Sequence, residues 1–329
     1  MTKSFNVKLV NGKTFKVKDG QTILEGASLH GLHLSYSCRT GRCSSCKSKI
    51  VGDSKPLVDE LGLSPDEILN GNGLLCVRTP ESDLELNVAD LGDICLPEPQ
   101  LIPAKISSKE ILSEDIIILR LRLPPTKIFK FIAGQYVDIL SPTGIRRSYS
   151  LASTTDEHEI EFHVRKVNNG LMSDYVFNKA KVGDLLRIHG PHGTFVLRNT
   201  SKKRLAFLAT GTGIAPVKSI LGSLQKLDLM NRPKTITVYW GAREIKDFYI
   251  DLSTYKNLTY HLILSKETRS WNGRIGYVQD NMINDFQNLT DVVVYACGSS
   301  NMISDAKYNL ALNGHPPEQF FSDAFVASS

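Results

Sequence analysis

No apolar run in this chain is long enough to cross a membrane; the longest, such as Val292-Val293-Val294-Tyr295-Ala296-Cys297, suit buried strands. The first residues, Met1-Thr2-Lys3-Ser4-Phe5-Asn6, lack the apolar core of an export signal. The expectation is a cytoplasmic protein in a reducing compartment, where six cysteines favour thiolate chemistry over disulfides. A strong excess of positive or negative residues is lacking as well. The net +5 is spread along 329 residues, which gives no support to nucleic-acid binding. Internal repeats and low-complexity tracts are missing, and no nucleophile triad or acid–base pair stands out. Apolar content of 41% and charged content of 22% are ordinary for a globular protein, and the length suggests two domains, or three small ones.

What is present is a pattern of cysteines. Cys38, Cys43 and Cys46 share one short loop, Cys38-Arg39-Thr40-Gly41-Arg42-Cys43-Ser44-Ser45-Cys46, and Cys76 follows thirty residues later. This C-x4-C-x2-C spacing with a distant fourth cysteine is the plant-type [2Fe–2S] arrangement. Each iron needs two thiolates, so a tight loop wraps the cluster and a remote segment closes it. Thr40, Gly41, Ser44 and Ser45 are small enough to let backbone N–H groups turn onto an anionic centre. The competing readings are a zinc site or two disulfides. Zinc sites usually pair cysteine knuckles at both ends, and only one end has a knuckle here. From His30 through Gly52 there is no Asp or Glu, while Arg39, Arg42, Lys47 and Lys49 crowd the ligands. Part of that charge is expected to offset the cluster, and the outward part to steer an acidic partner. Cys95 and Cys297 are left over.

Three segments follow one another. Residues 1–92 read as a small mixed α/β unit. Phe5–Leu9 and Thr14–Val17 alternate around Asn11-Gly12, a hairpin signal, and Thr22-Ile23-Leu24-Glu25 is a capping box opening a short helix that ends near Gly31. Leu84–Val88 supplies a last strand. Residues 93–102 are a proline-rich linker; Pro97, Pro99 and Pro103 predict an extended, semi-rigid spacer. Residues 103–200 are strand-rich (Ile116–Leu123, Gln135–Ile139, Glu159–Val164) with regular turn signals, which argues an antiparallel barrel. Residues 201–329 alternate apolar strands (Leu205–Ala209, Ile236–Trp240, Tyr260–Leu264, Val292–Ala296) with helical stretches. That alternation predicts a parallel sheet with a nucleotide at its carboxyl edge.

Motifs in the second and third segments carry a resemblance. Arg147-Ser148-Tyr149-Ser150 at a strand end is followed by Gly170-Leu171-Met172-Ser173 and then Gly190-Pro191-His192-Gly193-Thr194-Phe195. Each alone is weak. Together, in this order, they resemble the FAD-binding barrel of the ferredoxin–NADP reductase superfamily. Arg147 suits a pyrophosphate, Tyr149 offers a ring to the isoalloxazine, and Ser150 suits its reactive nitrogen. Gly170, Met172 and Ser173 open a helix whose backbone N–H groups suit phosphate. Thr210-Gly211-Thr212-Gly213-Ile214-Ala215-Pro216 departs from the standard dinucleotide fingerprint, since the third glycine is missing and Pro216 follows. In this position it resembles the pyridine-nucleotide loop of the same superfamily, as do Tyr239-Trp240-Gly241-Ala242-Arg243 and Cys297-Gly298-Ser299 at later strand ends. From its apolar strand, Cys297 reads equally well as a small core residue; the resemblance puts it beside the nicotinamide.

The resemblance covers nearly the whole chain. It implies a multidomain architecture: an α+β β-grasp ferredoxin, an antiparallel β-barrel FAD domain and an α/β parallel-sheet nucleotide domain. One departure is Ser44, where the family often has glycine. NAD(P)H would pass a hydride to FAD, and single electrons would leave through the [2Fe–2S] cluster to a partner protein. Tyr149, Ser150 and Cys297 would flank the hydride transfer, and Gly211, Thr212, Gly213, Pro216, Arg243 and Gly298 would hold the dinucleotide. Lys266 and Arg269 could serve a 2′-phosphate, but Glu267 opposes one, and Trp271–Val278 resembles NADH-using enzymes; NADH is expected, with NADPH the alternative. Leu121–Thr126, Ala133–Tyr136 and Phe320–Val326 further resemble the CDP-6-deoxy-3,4-glucoseen reductases of dideoxysugar biosynthesis, which implies a dehydratase as the partner. The rivals are a reductase component of an oxygenase or hydroxylase, and a stand-alone flavin reductase or redox sensor.

Overall fold

A computed structural model describes residues 3–155, 157, 159–198, 200, 203–228, 232–266 and 270–326. The chain divides into two compact units, residues 1–96 with 193–195, and residues 97–192 with 196–329.

In the first unit, β1 (Ser4–Leu9) and β2 (Thr14–Lys18) form the hairpin expected from their alternation, and their inward residues Val7, Leu9, Phe15 and Val17 are buried. The helix α1 (Ile23–Leu29) starts at the capping box: Thr22 and Glu25 satisfy each other's backbone N–H. After it come β3 (Lys47–Val51), β4 (Ser54–Pro56), α2 (Pro65–Leu69), β5 (Asn72–Leu74), β6 (Arg78–Pro80) and β7 (Leu84–Leu86). The main sheet runs β2-β1-β7-β3-β5, with β7 parallel to β1. Its core holds Ile23, Leu34 and Leu75 together with Cys46 and Cys76, so two of the four ligand candidates are built into the packed interior. The short stretch Gly193–Phe195 groups with this unit; the Gly193 N–H donates to the Tyr36 hydroxyl at 3.1 Å.

The second unit begins with an antiparallel six-stranded sheet in the order β11-β10-β13-β8-β9-β12. Its strands are β8 (Gln100–Ile111), β9 (Ile116–Arg122), β10 (Tyr136–Leu140), β11 (Arg146–Ser150), β12 (Glu159–Arg165) and β13 (Leu185–His192). β11 and β12 are sequence neighbours at opposite edges, and the Ala152 N–H reaches the Glu161 carbonyl at 2.9 Å, so the sheet curls round an apolar core. The proline-rich spacer ends sooner than its prolines suggest, because Gln100–Pro103 already pair with β13. Pro103 is tolerated there: pairing with β9 starts only at Lys105, so the missing N–H is not needed. A short helix, α3 (Leu171–Asp174), leads into a π-helical turn over Tyr175–Lys179.

The parallel sheet runs β17-β16-β15-β14-β18-β19, from β14 (Arg204–Thr210), β15 (Thr235–Ala242), β16 (Leu258–Leu264), β17 (Arg274–Ile275), β18 (Val292–Ser299) and β19 (Phe320–Phe325). The helices are α4 (Ile214–Leu224), α5 (Val278–Asp285) and α6 (Ser300–Leu312). β14 lies between β15 and β18, so the strand order reverses beside it. In open α/β sheets that reversal opens a crevice at the carboxyl ends of the strands. Among the described residues no helix is long and apolar enough to cross a membrane.

Candidate active site

The cysteine loop is shaped by left-handed backbone. Arg39, Gly41 and Ser44 have φ of 56°, 73° and 58°. A Cβ on Gly41 would lie 2.9 Å from the Asp59 carbonyl, so glycine is required there on two counts. Ser44 holds its φ without that freedom, and its hydroxyl donates to the Gly62 carbonyl, which ties down the strained turn. These turns aim N–H groups at sulfur: Cys38 N–H lies 3.4 Å from Cys43 Sγ, and Thr40 N–H lies 3.4 Å from Cys38 Sγ. The four thiols converge. Cys43 hydrogen-bonds Cys38 and holds it down to about 5, while Cys43 itself is pushed up. Cys76 likewise pushes Cys46 up and is lowered in return. A closed set of four sulfur donors under an inward nest of N–H groups fits an anionic [2Fe–2S] cluster.

The acid-free stretch of sequence is not acid-free in space. Lys47 pairs with Glu67 of α2, and Glu60 accepts from Arg78 and from the Leu74 N–H, pinning the loop over the cluster cradle. Arg39 is exposed, its guanidinium 4.3 Å above the Tyr36 ring, and Lys49 is exposed too. Lys47 therefore drops out of the expected outward rim.

On the barrel, β10 and β11 pair Tyr136 with Ser150 and Val137 with Tyr149. Arg147 is half-buried and has no carboxylate partner among the described residues, whereas its neighbour Arg146 pairs with Asp138. That leaves one guanidinium of the pair for an anionic ligand. Burial pushes the Tyr149 phenol above its usual range, with nearby Arg147 opposing, so the ring is a neutral stacking surface. Ser148 spends its hydroxyl on Asp138 at 2.5 Å, and Ser173 donates to the Gly170 carbonyl at 2.9 Å. Met172 is buried in the barrel core, so only its backbone faces outward to a ligand. For FAD, then, the groups on offer are the Arg147 guanidinium, which spends one N–H on the Arg146 carbonyl, the Tyr149 ring and the backbone N–H groups of Leu171–Ser173, since the Gly170 N–H is spent on the Val167 carbonyl; they fit a pyrophosphate and a planar ring.

At the crevice of the parallel sheet, Ala209 pairs with Cys297, and Gly211–Gly213 form a 3-10 turn that runs into α4 with Pro216 in its first turn. A Cβ on Gly213 would strike the Cys297 carbonyl, so the two strand ends close on one another only because that residue is glycine. Arg243 follows β15 and is exposed. Lys266 is exposed after β16, whereas Glu267 and Arg269, on which the phosphate argument turned, lie outside the described residues.

The same crevice contains a group the motifs did not reveal. Asp323 of β19, 4% exposed, has Oδ2 3.4 Å from Ser150 Oγ and 4.0 Å from Cys297 Sγ. Ser150, Cys297 and Asp323 come from three strands and meet at one point. Burial, and then the Asp323 charge, push the Cys297 thiol well above its usual range, so it stays neutral. The available signal was an acid inside an aromatic strand, Phe320-Phe321-Ser322-Asp323-Ala324-Phe325.

Three family models match the chain in succession. They are the 2Fe-2S iron-sulfur cluster binding domain over residues 8–81, the oxidoreductase FAD-binding domain over 103–197, and the oxidoreductase NAD-binding domain over 207–308. The CDP-6-deoxy-L-threo-D-glycero-4-hexulose-3-dehydrase reductase of Yersinia pestis is 38% identical, over 99% of this chain and 99% of that protein. The chain belongs to the ferredoxin–NADP reductase superfamily, in its branch with an amino-terminal [2Fe–2S] domain. Reductase component 1 of terephthalate 1,2-dioxygenase from Comamonas sp is 31% identical over 95% of both chains. Among solved structures, Amycolatopsis cytochrome P450 reductase GcoB aligns at a TM-score of 0.75 with 27% identity, covering 99% of this chain and 100% of that one. Like its relatives, the chain is an NAD(P)H-dependent oxidoreductase using FAD and a [2Fe–2S] cluster, an electron-transfer component that serves a partner protein.

Proposed function

We propose that this reductase takes electrons from NADH and delivers them to a cytoplasmic dehydratase acting on a CDP-linked deoxyhexulose, in dideoxysugar biosynthesis. The observation that carries this reading is the 38% identity, end to end, to the Yersinia dehydrase reductase, against 31% to the dioxygenase component. When bound, the cofactors supply the redox chemistry: a hydride from NADH enters FAD, and electrons leave one at a time through the cluster. The protein's residues position and tune. Cys38, Cys43, Cys46 and Cys76 are the proposed cluster ligands. Arg147, Tyr149, Ser150 and the backbone of Gly170, Met172 and Ser173 hold the flavin, with Ser148 bracing the strand through Asp138. Gly211, Thr212, Gly213, Pro216, Arg243, Cys297 and Gly298 hold the dinucleotide. Ser150 keeps its hydroxyl proton directed at Asp323, and Cys297 remains an uncharged small group that excludes water from the reacting face.

The reading is tested by anaerobic reconstitution. Purified reductase, loaded with cofactors, should support NADH-dependent turnover of a CDP-4-keto-6-deoxyhexose by its dehydratase, and NADPH should be the poorer donor. The second reading, an oxygenase reductase, has the Comamonas relative in its favour. Turnover with an oxygenase and none with the dehydratase would replace the first reading by the second. Iron, acid-labile sulfide and extracted flavin should show one [2Fe–2S] cluster and one FAD per chain; a zinc-loaded, iron-free protein would overturn both.

A further inference from the structure

Glu161 of β12 is a charged side chain almost out of solvent, with 5% of its side-chain surface exposed, and no proposed cofactor contact uses it. Its carboxylate is saturated. Oε1 accepts from Lys218 Nζ at 2.5 Å and from His163 Nε2 at 2.9 Å, while Oε2 accepts from Arg120 at 2.8 and 2.9 Å. Burial alone would raise this carboxyl, yet the His163 hydrogen bond and the Lys218 charge hold it far below the usual carboxylate range. The donors come from two places. Arg120 and His163 belong to the barrel strands β9 and β12, but Lys218 belongs to α4, the helix that leaves Gly211–Gly213.

A second connection leaves the same carboxylate. With Nε2–H donating to Glu161, His163 Nδ1 accepts from the Tyr249 hydroxyl at 3.0 Å. The Tyr249 ring stands edge-on to Trp240, 5.4 Å between centroids. Trp240, fully buried, donates its indole N–H to the Gly211 carbonyl at 3.0 Å. Glu161 thus reaches the first residue of the loop through His163, Tyr249 and Trp240, and the helix after the loop through Lys218. The backbone adds to this: Glu161 N–H donates to Ser153 Oγ, and Ser219 of α4 donates to the Ser153 carbonyl at 2.6 Å. One further tie, Arg165 to Asp247 at 2.8 Å, does not pass through Glu161.

We propose that Glu161 is a positioning residue for hydride transfer: it anchors both ends of the Gly211–Gly213 loop to β12, where its own carbonyl accepts from the Ala152 N–H, two residues after the Ser150 that ends β11. The proposal rests on that loop holding the dinucleotide. A buried carboxylate with three donors is a stiff joint, because losing any partner leaves a desolvated charge uncompensated. Stiffness matters here since a misplacement of about 1 Å between reacting groups costs on the order of a hundredfold in rate. Binding of the dinucleotide, by contrast, depends on the loop's own backbone and should survive a small rotation of the loop against the barrel.

The test uses FAD-loaded protein and three substitutions: Glu161→Gln, Lys218→Met and Tyr249→Phe. Lys218 is partly exposed and its replacement keeps an unbranched apolar stem while removing the ammonium, so it remains informative where Glu161→Gln fails to fold. In anaerobic stopped-flow with NADH, the limiting rate of flavin bleaching should fall about tenfold to a hundredfold in Lys218→Met, while the NADH dissociation constant moves less than about threefold. Lys218→Arg should recover most of the rate. Hydrogen–deuterium exchange should show faster exchange in peptides spanning 211–219 of Lys218→Met, with the barrel strands unchanged. An unchanged limiting rate in Lys218→Met and Tyr249→Phe, with only a lower melting temperature, would make Glu161 a structural clamp and overturn the proposal. Failure of the underlying reading looks different: NAD+ would then leave exchange at 211–219 of the unaltered protein unprotected.

Discussion

The cluster cradle and the hydride-transfer corner are built in opposite ways. The cradle takes three of its four proposed ligands from nine consecutive residues, and its N–H groups are turned inward by the loop's own left-handed positions at Arg39, Gly41 and Ser44. The corner takes Ser150, Cys297 and Asp323 from three strands, 173 residues apart between the first and the last. A local site tolerates movement elsewhere in the molecule. An assembled site inherits every error in sheet register and packing, which is why a buried hub such as Glu161 matters to the corner; in the cradle the equally buried Glu60, held by Arg78 and the Leu74 N–H, pins a neighbouring loop.

The largest effect should come from cutting the one remote member of the cradle. Cys76→Ser is expected to abolish electron delivery to the partner while NADH oxidation by ferricyanide, which draws on the flavin, continues. A variant that kept FAD yet lost ferricyanide reduction would show that the two regions are not separable and that the order of carriers is wrong.

The corner is probed by Asp323→Asn. A hydrogen bond to a buried charge is worth roughly 1.5–3 kcal/mol, so flavin reduction by NADH should slow by about tenfold to a hundredfold, with cluster absorbance intact. Full activity in this variant would remove Asp323 from the site and return the corner to the residues visible in the motifs.

A smaller, severalfold effect is expected at the rim of the cradle. Exposed Arg39 and half-buried Arg42 are the charges to test as docking contacts, and Lys47 is paired with Glu67. The Debye length falls from about 10 Å at 0.1 M salt to about 3 Å at 1 M, so partner reduction should slow with salt while flavin reduction by NADH barely changes. Charge reversal at both arginines should reproduce the slowing at low salt. Indifference to both treatments would make the rim a cluster-tuning feature only.

The smallest effect concerns Ser44. Its left-handed backbone costs about 1–2 kcal/mol relative to glycine, against about 1 kcal/mol for the hydroxyl bond to Gly62. Ser44→Gly should therefore shift the melting temperature by only a few degrees, and upward. A large loss of stability or of cluster would mean that the Ser44 hydroxyl, not the loop backbone, holds the cradle closed.

Most of the architecture was legible beforehand. Alternation marked β1 and β2, the Thr22 capping box marked α1, and apolar runs marked β14, β15, β16 and β18. The spacer's far end is extended in either case, since prolines advertise extended backbone and a strand position paired on one side only is also extended backbone. Met172 drew notice from its motif, but its side chain fills the barrel core.

The sequence by itself determined the cluster chemistry, because cysteines within nine residues stay close whatever the rest of the chain does, and thiolates at that spacing suit few metals. It also determined the order of the three segments, because period and turn chemistry are local properties. Only the tertiary structure decided that Asp323 meets Ser150 and Cys297, that Glu67 neutralises Lys47, and that Glu161 holds Lys218. Those partners are set by sheet register and by which faces pack together, and a shift of one residue in β3, β12 or β19 would turn Lys47, Glu161 or Asp323 to the opposite side.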